Sequence, residues 1–244
     1  MITLYLSPST QEKNVGHNQY GTEEEQMNNL ADRIQNILEN NYEEFLVLRN
    51  NPHWKLSEVV VDSNYYPVDL HLALHSNANN RHTRGCEVFC HKFDTQSHHY
   101  ANIFYKNLAP LTPTSDRGVK EGFNFYGTNK HMFELYKTKA NAVLIEVAFH
   151  DNIEDSLWIL RNLDLIAENI VDSILEIFEI KKKVVQEQKF FDIQGHWAES
   201  NINDAYRKGL VKGFPDGTFR PDERATRAEM TTMILTLYNQ LKKG

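Results

Sequence analysis

Apolar positions fall along this chain in two alternating rhythms. ITLYL, at the start, has the short apolar pattern of a strand and ends at Ser7-Pro8-Ser9, followed by a polar stretch rich in Asn and Gly. In GTEEEQMNNLADRIQNILENN the period becomes helical: Thr22 is placed as an N-cap with Glu25 three residues later, and Met27, Leu30, Ile34 and Leu38 share one face. A short apolar run, FLVLRN, and a helix-like EVVVDSNYY come next. VDLHLALHSNA then has the continuous apolar character of a strand buried on both faces. EVFCHKF predicts another strand, SHHYANIFYKNLAPL a helix with one apolar face, and NAVLIEVAFHDN the clearest central strand. EDSLWILRNLDLIAENIVDSILEIFEI predicts one or two closing helices. Strands alternating with helices imply an α/β layer fold over residues 1–180.

At 181–189, KKKVVQEQK is charged and has no long apolar period, which marks a linker. Beyond it, residues 190–244 hold two amphipathic helical patterns around FPDGTFRP, a run of turn-forming residues. A module of about 55 residues with two helices has a marginal core of its own.

Composition narrows the class. The 244 residues are 41% hydrophobic, 24% charged and 11% aromatic, the profile of an ordinary globular chain with room for one medium domain and a small partner. No apolar run reaches the 18 or so residues of a membrane span. The start MITLYLSPSTQ has neither a basic n-region nor an apolar h-region, so if the chain acts outside the membrane, a route other than a Sec signal peptide is expected to release it. Net charge is −7, unevenly spread: residues 1–180 carry 14 basic and 25 acidic side chains, residues 181–244 carry 12 and 8. An acidic body argues against nucleic acid as principal partner. Cys86 and Cys90, four apart in one strand, sit too far apart to bridge, and no second Cys or Cys/His pair has zinc-finger spacing.

Three residues stand out chemically: Glu24 at a helix start, His75 near the end of a buried strand, and Glu146 within another. Functional groups in parallel-rich sheets collect at the carboxyl ends of strands, so these elements are able to converge on one crevice. They supply the inventory of a metal hydrolase, which needs His or carboxylate ligands and a nearby carboxylate to move protons. A strand histidine is more commonly a hydrogen-bonded core residue, and Glu146 has a structural ion pair as its plainer reading. An unpaired carboxylate inside VLIEVAF is nonetheless costly to bury and calls for a cation or a cleft.

Taken together, GTEEEQMN, DLHLALHSNA, RGCEVF and AVLIEVAFHDN resemble the zinc-dependent N-acetylmuramoyl-L-alanine amidases, which cleave peptidoglycan and include phage endolysins. The resemblance covers roughly residues 1–178. It implies a twisted, mostly parallel or mixed sheet flanked by helices, and a zinc ion held by two histidines and a glutamate. By motif position it places one histidine ligand at His75, the glutamate at Glu24 with Glu23 as its neighbour in register, and the catalytic carboxylate at Glu146. The family's first histidine falls on Ser7-Pro8-Ser9-Thr10-Gln11, where Thr10 and Gln11 are poor ligands, so His17 in the following loop is the substitute. His71, on the same strand face as His75, is assigned to the core or to support of the ligands. Asn77 and Arg84 are placed along the substrate groove, though solvation alone would account for both.

In the tail, FFDIQGHWAES, GLVKGFPDGTFRPDE and ATRAEMTTMI resemble a surface-layer homology module, three blocks in the family's order. Such modules hold anionic secondary wall polymers, and Asp192, Trp197 and Arg227 occupy motif positions; Arg suits an anionic carboxylate, whereas Trp197 is expected to pack between the helices. These modules commonly work in threes, so a single copy implies weak binding or self-association for avidity. The resulting expectation is a two-domain endolysin or autolysin acting on peptidoglycan. Its rivals are a non-catalytic wall-binding protein with a degenerate site and a zinc carboxypeptidase.

Overall fold

The computed structural model describes residues 1–114, 117–182, 190–207 and 209–241, and the chain divides into two compact units, 1–183 and 184–244. Most of the predicted linker therefore lies outside the described residues.

The first unit is one six-stranded sheet. Its strands are β1 (Ile2–Pro8), β2 (Phe45–Arg49), β3 (Leu70–Asn77), β4 (Glu87–Cys90), β5 (Val119–Glu121) and β6 (Asn141–Phe149), in spatial order β2-β1-β3-β6-β4-β5. All pairs are parallel except β4 with β6. The two longest apolar runs, β3 and β6, are neighbours in the middle of the sheet, as strands covered on both faces must be.

Strand alternation sorts the side chains into two cores. Leu70, Leu72 and Leu74, with Val143, Ile145 and Val147, face a large cluster that includes apolar residues of α1 (Glu23–Asn41), α3 (Gln96–Leu108) and α5 (Ile153–Ile177). Ala73, Ala142, Leu144 and Phe89 face the other way, onto Met132 and Leu135 of a smaller cluster beside α4 (Phe133–Lys137). The short α2 (Leu56–Ser63) touches α4 and buries Val59 and Val60. Helix α5 is continuous apart from a kink at Asn162. The α/β reading and its sheet are thus borne out. Cys86 and Cys90 are both buried, and neither is in a disulfide.

The second unit holds α6 (Glu199–Arg207) and α7 (Arg227–Leu241) and a small cluster of Phe190, Ile193 and Ile202. Gly213 lies so close to the Phe190 ring that an added Cβ would fall 1.9 Å from it, so a side chain there would displace the main apolar anchor of this core. No described helix is long and apolar enough to cross a membrane.

Candidate active site

A polar row crosses the sheet where the parallel strands end. His75 of β3 pairs in register with Glu146 of β6, and Glu146 pairs with Glu87 of β4. The Ser9 N–H, just past β1, donates to Leu74 O at 2.9 Å, which continues the β1–β3 ladder toward the same level. In-register partners present side chains to the same face, so His75, Glu146 and Glu87 stand side by side on the face that carries α4.

His75 is bracketed by two carboxylates. Its Nδ1 lies 2.8 Å from Glu23 Oε1 and its Nε2 lies 3.8 Å from Glu134 Oε2. Thr22 caps α1 by accepting from the Glu25 N–H, which makes Glu23 the first helical residue and turns it back toward the end of β3. The second oxygen of Glu23 accepts from Asn14 at 2.6 Å. Glu134, from α4, accepts from His71 Nε2 at 2.8 Å and from Ser7 Oγ, while His71 Nδ1 is 2.8 Å from Ser63 Oγ. His71 is fully buried and stacks on Tyr5, which confirms its supporting place.

Charge in this cluster follows from burial and partners. Burial would lower the pKa of His75, yet the nearby carboxylates of Glu134 and Glu23, the latter hydrogen-bonded to it, outweigh this and hold it well above the ordinary imidazole value. Burial likewise would raise Glu23 and Glu134, but their histidine partners keep both carboxyls below the usual range. Glu146 goes the other way. Burial is the main cause, the carboxylates of Glu23 and Glu87 add to it, and its pKa is pushed up to about 8 against the lowering effect of His75. Its Oε2 is sealed from solvent with no hydrogen-bond partner. Glu87, by contrast, is neutralised by Arg117 and Lys120 and is 3.4 Å from Asn77 Nδ2.

A cavity of about 330 Å³ opens beside this cluster, lined by Ser9, Thr10, Gln11, Val59, His75 and Glu134 among others. The positions where the motif lacks its histidine therefore share a wall with His75.

The structure changes several sequence-based assignments. Glu23, not Glu24, meets His75; Glu24 is one step of about 100° further round α1, half-buried, and its carbonyl accepts from Asn28. His17 donates its N–H to His150 O at 2.8 Å, and its buried Nδ1 has no partner. It does not join Glu23 and His75: among the described residues no group of three or more His, Cys, Asp or Glu side chains forms a ready metal site. Arg84 pairs with Glu154 and, at 2.8 Å, with fully buried Asp155. Asp192 accepts the N–H groups of Phe219 and Arg220, fixing the turn, and Arg227 opens α7 at an exposed position. Trp197, expected between helices, is 85% exposed. Glu134 escaped the sequence reading because HMFELYK carries no motif, and its neighbours are 63 and 127 residues away in the chain.

Glu23 and His75 are of the residue types that ligate a divalent cation, but here they are hydrogen-bonded to each other at 2.8 Å, and among the described residues no third His, Cys, Asp or Glu completes a ligand set with them; the unpartnered oxygen of Glu146 stands in the same row.

Residues 5–176 match the family model described as N-acetylmuramoyl-L-alanine amidase, and residues 189–231 match the S-layer homology domain. The first unit is similar in fold to the catalytic domain of the amidase CwlV from Bacillus (Paenibacillus) polymyxa var. colistinus, with TM-score 0.64 and 22% identity over 74% of this chain and 100% of that one. It is also similar to an N-acetylmuramoyl-L-alanine amidase of Clostridium difficile 630, with TM-score 0.61 and 20% identity over 74% of this chain and 98% of that one. The tail is 49% identical over 47 residues to Cell surface glycoprotein 1 of Acetivibrio thermocellus, a match that spans 19% of this chain and 2% of that protein.

Proposed function

The chain belongs to the N-acetylmuramoyl-L-alanine amidase family, and on that premise we propose that its first unit hydrolyses the amide between the lactyl group of N-acetylmuramic acid and L-Ala of the stem peptide, with zinc held by Glu23 and His75. The observation that carries this reading is the row of His75 and Glu146 beside Glu23 at the open end of the sheet. Zinc at that place supplies a water of lowered pKa and polarises the scissile carbonyl.

Glu146 is the proton carrier. It stands in register with His75, the place from which it would act on a water held beside that histidine. A pKa raised to about 8 suits a group that must both take a proton from water and return it to the leaving amine. Any added positive charge beside it favours the ionised form that a base requires. Glu87 is unsuited to that part because both of its carboxylate oxygens are already engaged by Arg117 and Lys120.

The tail module, whose relatives include S-layer and cellulosome-anchoring proteins, is assigned to attachment at an anionic secondary wall polymer. Exposed Trp197 and Arg227 are the side chains offered to it, and Asp192 holds the turn. A second reading, a wall-binding protein without catalysis, is favoured by Thr10 and Gln11 at the missing histidine position.

Metal dependence separates the two. The purified full chain is expected to carry about one zinc per chain by mass spectrometry, to lose wall lysis after dialysis against a chelator, and to regain it with added zinc. Absence of bound zinc together with unchanged wall binding would establish the second reading.

A further inference from the structure

The segment between β5 and α4, residues 122–132, has no part in the reaction as described, yet it is firmly held and shows two aromatic rings to solvent. Its base is tied to the end of β4: the Gly122 N–H donates to Cys90 O at 2.7 Å, the Phe123 N–H to His91 O at 2.9 Å, and the Met132 N–H back to Gly122 O at 2.9 Å. Its tip closes on itself, with the Tyr126 N–H donating to Lys130 O and the Gly127 N–H to Asn124 O, both at 3.0 Å. Asn124 and Asn129 take left-handed backbone angles, φ 56° and 59°, and the Asn124 side chain accepts the Asn129 N–H at 2.8 Å. At this tip Phe125 is 45% exposed and Tyr126 63%. Rings fixed in place before anything covers them lose little freedom when a ligand does.

Strand register shows what the rings stand beside. β4 runs antiparallel to β6, with Glu87 opposite Glu146 and Phe89 opposite Leu144. Alternation puts these four side chains on one face of the sheet, the face that carries α4. Phe125 meets Phe89 edge to face with ring centres 5.1 Å apart, and Tyr126 meets Phe125 in the same way at 5.0 Å. The tip is therefore docked two residues, or about 7 Å of strand, from the row of His75, Glu146 and Glu87. The Tyr126 hydroxyl registers that row, since its pKa is raised by partial burial first and then by the charge of Glu146.

The amide to be cut has a neutral sugar on one side and a peptide on the other. A pyranose presents a face of C–H groups, which suits the electron-rich face of an aromatic ring, whereas a peptide carboxylate is repelled by that face. The cations of this row, Arg117 and Lys120, are already bound to Glu87. The lactyl group spans only a few bonds, so a carbonyl held beside Glu146 brings the sugar to the neighbouring side chains.

We infer that Tyr126, braced through Phe125 on Phe89, is the stacking platform for the sugar ring of the substrate, so that the first unit selects stem peptides still carried on glycan. The inference rests on the amidase reading above and adds the sugar half of recognition to it.

The test uses the full chain and two soluble substrates with the same scissile amide: disaccharide-peptides released from peptidoglycan by a muramidase, and the lactyl-peptides made from them by alkaline elimination of the sugar. Release of L-Ala amino groups gives kcat and KM for each. The wild type is expected to show a KM about tenfold lower for the disaccharide-peptide, the worth of one well-packed aromatic contact. Tyr126→Ala is expected to lose that preference through KM, with kcat on the disaccharide-peptide within about twofold of wild type, and Tyr126→Phe to restore it by keeping the ring. Tyr126→Leu, which has apolar bulk without an aromatic face, is expected to match Tyr126→Ala and decides the matter if the alanine variant does not fold. A wild type that does not distinguish the two substrates, a Tyr126→Ala or Tyr126→Leu variant that keeps the preference, or a Tyr126→Phe variant that loses it would overturn the inference and leave the amidase reading in place. If the wild type cleaves neither substrate, the inference falls with the reading it rests on.

Discussion

Replacing Glu146 with Gln should make the metal-free protein more stable at alkaline pH. Between its ordinary value of 4.5 and the folded value of about 8, the Glu146 carboxyl binds a proton more tightly in the folded chain than in the unfolded one. Folding stability therefore falls as pH rises through that interval, since each step in pH favours the unfolded state, which ionises freely. One pKa unit is worth about 1.4 kcal/mol, so the decline over the three units between pH 5 and pH 8 is at most about 4 kcal/mol, and less if water enters from the partly open strand end. Glutamine has nearly the same shape and never ionises, so the variant lacks this slope. His75, whose pKa is raised by Glu134 and Glu23 against burial and further by Glu146, also contributes stability that is lost as pH rises; because the two groups are coupled, this part is only partly shared by the two proteins. Urea unfolding in a chelating buffer, followed by far-UV circular dichroism at pH 5 and pH 8, measures the difference. Near-equal stability at pH 5 and a Gln advantage of about 1–3 kcal/mol at pH 8 is the expected result. Identical pH slopes for the two proteins would refute the claim that burial of the unpartnered Glu146 oxygen raises its pKa.

Four further outcomes follow from the same geometry. Glu23→Gln should weaken Zn2+ binding at least tenfold in a chelator competition, whereas Glu24→Gln should leave it within about twofold, because only Glu23 faces His75. Arg84→Ala should lower the unfolding free energy by about 2 kcal/mol in the same urea assay, and act on stability ahead of substrate affinity, because it strips a cation from fully buried Asp155. In the tail, Asp192→Ala should lower the melting temperature of the module by removing the acceptor of two turn N–H groups. Trp197→Ala should leave that temperature unchanged and weaken sedimentation with polymer-bearing walls, because the ring is exposed.

The parts of this molecule that sequence makes legible are those governed by local periodicity. β3 and β6 announce themselves because strands buried on both faces need unbroken apolar runs, and α1 because Thr22 and its apolar stripe define start and face. The site is half legible for the same reason: His75 and Glu146 lie on those two strands. Glu23 against Glu24 turns on a single step of helix register, set by where the cap falls and not by composition. Arg84 and Glu134 were beyond reach because their meaning comes from residues that the fold brings together, Asp155 at 71 positions and Ser7 at 127. Trp197 was assigned to packing on its residue type, and a module with so small a core leaves such a ring outside.

The most direct test of the central claim is to digest purified peptidoglycan with the zinc-loaded full chain and identify every new end group. The account predicts free amino groups on L-Ala alone, with no new reducing sugars, and a fall of a hundredfold or more for Glu146→Gln at unchanged zinc content. New reducing ends, amino groups on any other residue, or a Glu146→Gln variant that cleaves at the wild-type rate would contradict it.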